Sequence, residues 1–112
     1  MSDKESIRIS IEQKQEMIAL GDSIQRLAKN RDWKKLVDTA FFEQESVRLV
    51  SLLAHPGMQD EVSQKEIHNQ MVGIAYFRQF LGRTEMFAEQ ARVALPEDEA
   101  TEVEILEEEI QE

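Results

Sequence analysis

Two histidines, four cations gathered around a tryptophan and a run of carboxylates are the groups in this 112-residue chain with obvious chemical potential. His55 and His68 stand thirteen residues apart, one beside Pro56 and the other within a helical pattern. A zinc site on a helix needs ligands one turn apart, as in H-x-x-x-H, backed by further His, Cys or carboxylate ligands. That spacing is absent, and the chain has no cysteine. His55 reads instead as a cation at the end of the preceding helix, where the macrodipole favours positive charge. Glu43 and Glu45 flank Gln44, so on a helix their carboxylates diverge and do not form an acid–base pair. Glu107, Glu108 and Glu109 lack the spaced ligands and turn glycine of a calcium loop. No glycine-rich phosphate loop, dinucleotide fingerprint or nucleophile elbow occurs. These residues predict no catalytic, cofactor or metal site, and a protein that is not an enzyme.

Lys29, Arg31, Lys34 and Lys35 surround Trp33. Such a patch could stack a base against the indole and hold phosphate. The simpler reading is a core tryptophan with lysines laid over it, heads in water. An acidic tail folding back on the patch is a further possibility. That tail is the chain's strongest charge feature. Residues 1–96 hold thirteen basic and fourteen acidic residues, whereas 97–112 hold nine carboxylates and no Lys or Arg, for a total of −10. This balance opposes direct binding to nucleic acid or to anionic membranes, and predicts a basic protein surface as partner. Within the tail, Val103, Leu106 and Ile110 step by three and four, and Thr101 with Glu104 has capping-box spacing. A helix this short is marginal alone, and Glu107 to Glu109 sit at the wrong end of its dipole. The tail is therefore expected to be flexible or ordered by a partner. Val103, Leu106 and Ile110 would enter a groove while Glu102, Glu104 and Glu107 meet its basic rim.

The elements that would carry these groups are helical. Met17, Leu20, Ile24 and Leu27 predict one face of a helix over 10–29, interrupted by Gly21. Ile7 to Ile11 alternates briefly and reads as the entry to that helix. Asp32 is the expected N-cap of a short helix through Trp33, Leu36 and Val37. A third helix over 43–54 presents Val47, Val50, Leu53 and Ala54, with Leu49 and Leu52 widening its stripe. After the turn His55-Pro56-Gly57, Ser63 and Glu66 suggest a capping box opening a long helix over 63–94. Ile67, Met71, Ile74 and Leu81 mark its face, with Phe77 close beside them, and beyond Gly82 the residues Phe87, Ala88, Ala91 and Leu95 carry the stripe onward. The fold predicted is all-α: two long antiparallel helices with short helices between them, and an acidic C-terminal tail. The organisation is a helical body over 1–96 and a tail over 97–112, divided by Pro96. The expected core is Leu20, Ile24, Leu27, Trp33, Leu36, Phe41, Phe42, Val47, Val50, Leu53, Ile67, Met71, Ile74, Phe77 and Leu81. A chain this short cannot cover the long helix throughout, which predicts a homo-oligomer. No apolar run reaches the ~18–20 residues that span a bilayer, and the first five residues lack the apolar core of a secretory leader.

Trp33-Lys34-Lys35-Leu36-Val37, the segment from Phe41 to Val50, and Leu52-Leu53-Ala54-His55-Pro56-Gly57-Met58-Gln59 resemble small acidic helical proteins encoded by tailed bacteriophages. Phe77 to Leu81 and the acidic end are similar to that group too. The resemblance covers about Leu27 to the C-terminus and transfers no functional residue. It implies a phage origin more than a mechanism, some proteins of that group lying among virion-assembly genes, and the location expected is the host cytoplasm or the virion. The function expected is non-enzymatic protein–protein interaction in prohead assembly, as scaffold, core component or assembly chaperone. The alternatives are an acidic inhibitor or nucleic-acid mimic that binds a host protein, and a plain structural virion component.

Overall fold

The computed structural model describes residues 2–111. Helix is the only regular structure among them: α1 Asp3–Ala28, α2 Arg31–Trp33, a π-helical segment Lys34–Glu45, α3 Ser46–Leu53, a 3-10 turn Pro56–Met58 and α4 Glu61–Gln111. The all-α arrangement of two long helices with short ones between them is as expected. Two compact units result, one drawn from Met1–Ile24 and Arg83–Glu112, the other from Gln25–Gly82.

In the first unit, α1 starts seven residues before Ser10. The Ser2 hydroxyl accepts from the Glu5 amide at 3.2 Å, and Asp3 and Glu5 place carboxylates in the first turn, where the dipole favours them. The alternating stretch from Ile7 to Ile11 lies wholly within the helix. The facing part of α4 runs antiparallel to α1. Lys4 pairs with Glu109 at 3.4 Å, Lys14 with Asp98 at 2.6 Å and Asp22 with Arg92 at 2.5 Å, so the partner number falls as the α1 number rises. Ile7, Ile11, Lys14, Ile18 and Gly21 are half-buried or buried, stepping by four, three, four and three. On α4 the matching row is Ala88, Ala91, Leu95, Asp98, Glu102 and Ile105. This three–four alternation is the seam spacing of a coiled coil.

The seam departs from the expected face. Met17, Leu20 and Leu27 are exposed, while Gly21 is buried. The reason is backbone approach: a Cβ added to Gly21 would collide with the Ala88 Cβ. Glycine and alanine let the helices come close, and the larger residues of α1 are turned to the flank. The helix also continues through Pro96, where a boundary was expected. Proline removes a backbone donor and crowds the carbonyl four residues before it, at a cost of ~3 kcal/mol in a helix interior. Pro96 itself faces solvent, and the seam row continues on both sides of it. Burial along that row keeps the helix intact to Gln111.

The second unit is built on the π segment. Trp33, Val37, Phe42 and Ser46 are half-buried or buried at steps of four, five and four, as the wider i to i+5 turn demands. Asn30, not Asp32, caps the entry: its Oδ1 accepts from the Trp33 amide at 3.0 Å. Phe42, Leu49, Ile67 and Ile74 form the core, with Met71, Phe77 and Leu81 against it. Phe41, Phe42 and Phe77 pack with ring centroids 5.7–6.1 Å apart, and the Arg78 guanidinium sits 4.8 Å over the Phe42 ring. The wide turn changes the phase carried into α3. Leu49 is its fully buried residue, while Val47 and Val50 face outward. Leu36, also expected inside, is 69% exposed.

The connection after α3 is tied by amides. Gln59 Nε2 donates to the Leu53 and His55 carbonyls at 2.9 and 2.7 Å. Gln64 Nε2 donates to Leu53 and Met58 at 3.1 and 2.7 Å. These bonds satisfy carbonyls that the end of α3 leaves open. His55 Nδ1 accepts from the Gly57 amide at 3.0 Å. It therefore caps the 3-10 turn that follows it. Asp60 replaces Ser63 as the cap of α4, accepting from the Ser63 amide at 2.9 Å. Bonds from the Ser63 hydroxyl and amide hold the Asp60 carboxyl below its usual pKa.

A candidate protein-interaction surface

Residues 97–111 are the continuation of α4 and carry most of the candidate site. Val103 is 53% exposed, Leu106 38% and Ile110 84%. Their three–four spacing lays them along one strip beside the seam. Glu104 and Glu107 are exposed with them, as expected of a rim. Glu102 is not equivalent. It is half-buried, in the row that holds Asp98 and Ile105, and belongs to the seam side of the helix. So the structure brings together Val103, Glu104, Leu106, Glu107 and Ile110 on solvent-facing positions and draws Glu102 inward.

Inside the seam is a polar cluster that sequence reasoning missed. Asp98 Oδ2 accepts from Lys14 Nζ at 2.6 Å and from Ser10 Oγ at 2.5 Å. Lys14 also donates to Ser10 Oγ at 2.7 Å. Lys14 and Asp98 retain only about a fifth of their side-chain exposure. Lys14 and Ser10, by hydrogen bonding, hold the Asp98 carboxyl below the usual carboxylate range. One misplaced helical turn would leave these charges half-buried and unmatched, which costs several kcal/mol. The cluster therefore fixes the register in which the strip is displayed. Its signal was present as Ser10 and Lys14, four residues apart. The register of the pairing, and the continuation of α4 past Pro96, are what identify Asp98 as their partner.

Both units also carry apolar grooves. In the first unit, Met17, Phe87, Ala91 and Ala94 line one that passes Ser10 and Lys14. In the second, Leu36, Ala40 and Phe41 line a groove that continues past Glu45 to Gln70 and Gly73. Gly73 is open: an added Cβ would meet nothing within 4 Å. Trp33 is half-buried, with its ring 6.4 Å from that of Phe77, while Lys29, Arg31, Lys34 and Lys35 are exposed around it.

Charge divides sharply between the units. The first holds sixteen acidic and five basic residues, a net −11, and the second seven acidic and eight basic, a net +1. Glu45, flagged beside Glu43, is engaged by Arg48. The Arg48 hydrogen bond lowers its pKa, the opposite of what a proton donor at neutral pH needs. Among the described residues no three His, Asp or Glu side chains converge as metal ligands, and no helix is long and apolar enough to cross a membrane. No family model, curated protein or solved structure matches the chain.

Proposed function

We propose that this chain is a non-enzymatic bacteriophage protein that works by protein–protein contact in virion assembly, as a scaffold, core component or assembly chaperone. The phage setting rests on the resemblance carried by Trp33 to Gln59 and Phe77 to Leu81. The mode of action rests on one observation: an acidic helix with the exposed apolar strip Val103, Leu106 and Ile110. A helix of this kind suits a groove with a basic rim. The strip supplies burial, and Glu104 and Glu107 supply steering and salt sensitivity. The setting would be the host cytoplasm and the assembling virion. The test is recovery of virion proteins from infected cells by the tagged chain and by a Leu106→Ser/Ile110→Ser variant. Both positions face solvent, so the variant should keep its helicity. Loss of capsid-associated proteins from the variant is expected. Equal recovery by both would overturn the reading.

A second reading, an acidic inhibitor that mimics nucleic acid, gains from the helical placement of residues 97–111. A mimic needs carboxylates on a rigid frame, and a continuous helix provides one. The apolar strip separates the two readings, because a phosphate mimic has no use for it. Displacement of DNA from a host protein by the Leu106→Ser/Ile110→Ser variant as well as by the wild type would favour the mimic.

A further inference from the structure

We infer that the partner groove for the acidic helix is carried by a second copy of this chain, on the Leu36–Phe41–Gly73 surface of its second unit. This deepens the reading above and rests on 97–111 being the recognition element. Three features of the groove match that helix. Its walls are mostly apolar: Leu36 is 69% exposed, Phe41 is 37% exposed, and Leu49 and Ile74 lie at its base, while Glu45, its charged lining residue, is paired with Arg48. It has room for a helix to approach, because Gly73 presents no side chain and nothing stands within 4 Å of where one would begin. Cations precede it in the chain: Lys34 and Lys35 are exposed, and residues 26–35 hold five basic residues against one acidic, whereas 36–45 hold Asp38, Glu43 and Glu45.

Charge decides which surfaces of two copies can meet. Two first units, each at −11, repel, so the Met17–Phe87 groove is a poor site for its own copy despite its apolar lining. The second unit, at +1 with five of its eight cations between Arg26 and Lys35, attracts the −11 unit. The strip Val103, Leu106 and Ile110 would then lie along Leu36, Phe41 and Gly73, with Glu104 and Glu107 towards Lys34 and Lys35. The contact is heterologous: different surfaces meet on the two copies. It closes into a ring or dimer if the rotation allows and otherwise runs on as a chain. For a protein that acts in assembly, this is a way to set repeat spacing.

The test is sedimentation of the purified full-length chain from micromolar to millimolar concentration, at low and high salt. Wild type should associate above its 13.0 kDa mass as concentration rises, and less at high salt, since exposed charges are screened beyond ~8–10 Å. Gly73→Glu places a carboxylate in the groove at a position with space for it, and should weaken association by ~10-fold or more. Lys34→Glu/Lys35→Glu and Glu104→Lys/Glu107→Lys should each weaken self-association. An equimolar mixture of those two reversed chains should recover it, because each groove then meets a helix of opposite sign. Circular dichroism establishes that each variant remains helical. A wild-type particle of constant mass overturns the inference. So does Gly73→Glu associating like wild type, or a mixture that gains nothing. The assay contains this chain alone, so failure here leaves recovery of virion proteins as the separate judge of the broader reading.

Discussion

Replacing Gly21 with alanine sets two effects of known size against each other. In an open helix interior, alanine is better than glycine by ~1 kcal/mol. Gly73 and Gly82 have nothing within 4 Å of an added Cβ, so alanine at either should stabilise by about that amount. At Gly21 the added methyl group would overlap the Ala88 Cβ, and Ala88 has no exposed surface and no rotamer with which to move aside. Relief requires the helix backbones to part, loosening Ala91 and the Asp22–Arg92 pair as well. Overpacking of this kind costs ~1–3 kcal/mol. The difference between Gly21→Ala and Gly73→Ala should thus be ~1–3 kcal/mol, with Gly21→Ala the less stable. Urea denaturation followed by circular dichroism measures each. The double variant Gly21→Ala/Ala88→Gly moves the methyl group to the other helix and should regain most of the loss, a coupling of ~1 kcal/mol or more. If Gly21→Ala stabilises as Gly73→Ala does, the close approach of α1 and α4 is refuted, and with it the seam that orients the acidic helix.

The second unit has its own contrast: Phe42→Ala should cost ~3–5 kcal/mol, whereas Leu36→Ala, exposed, should change stability by less than ~0.5 kcal/mol. Equal effects in thermal melts would mean that the wide turn is not in place. Asp98 has a folded-state pKa below its unfolded value of ~3.9, so its contribution is complete above that value and is lost as pH falls through the lower folded value. Asp98→Asn should therefore lose stability near neutral pH and approach wild type in acid; parallel pH–stability curves would show that the Lys14–Asp98–Ser10 cluster has no such role. Pro96→Ala restores a backbone donor and should stabilise α4 by up to ~3 kcal/mol; loss of helicity instead would mean that proline is needed for the path of α4.

The helical class, the antiparallel pair and much of the second core were legible because Phe42, Ile67, Ile74 and Phe77 follow the ordinary rule of large apolar residues at helical spacing. The rule failed where packing is set by small residues. On α4 the stripe Ala88, Ala91 and Leu95 is where spacing puts it. Gly21 carries no hydrophobic signal, yet it lets the backbones approach at Ala88 and so decides which face of α1 is inside. It also failed after Lys34. A wide helix has a different period, and a 3.6-residue ruler carried across it centres the face on Val47 and Val50 and leaves Leu49 at its edge, whereas Leu49 is the fully buried residue. Pro96 misled for a third reason. Local propensity marks a helix end there, but tertiary burial before and after it is worth more than one lost hydrogen bond. Of the candidate site, the strip Val103, Leu106 and Ile110 was readable from spacing alone. The inward place of Glu102 was not, since it depends on which face of the helix α1 occupies.

That packing also bears on how a carboxylate-rich helix would serve the recognition proposed for it. Sixteen acidic and five basic residues share the first unit, so its own field opposes compaction. Lys4, Lys14 and Arg92 offset part of this by pairing with Glu109, Asp98 and Asp22. The three pairs hold the two helices in register, but they leave Glu104 and Glu107 on the exposed side beside the apolar strip. A basic surface that covers this side both gains direct contacts and reduces the repulsion within the unit. Binding and folding of the first unit are then linked with the same sign: whatever binds the helix also tightens the seam. The linkage is strongest at low salt and fades as screening weakens both the repulsion and the attraction. A helix built this way is stable enough to hold its strip in one orientation, yet retains an electrostatic reason to seek a cationic partner.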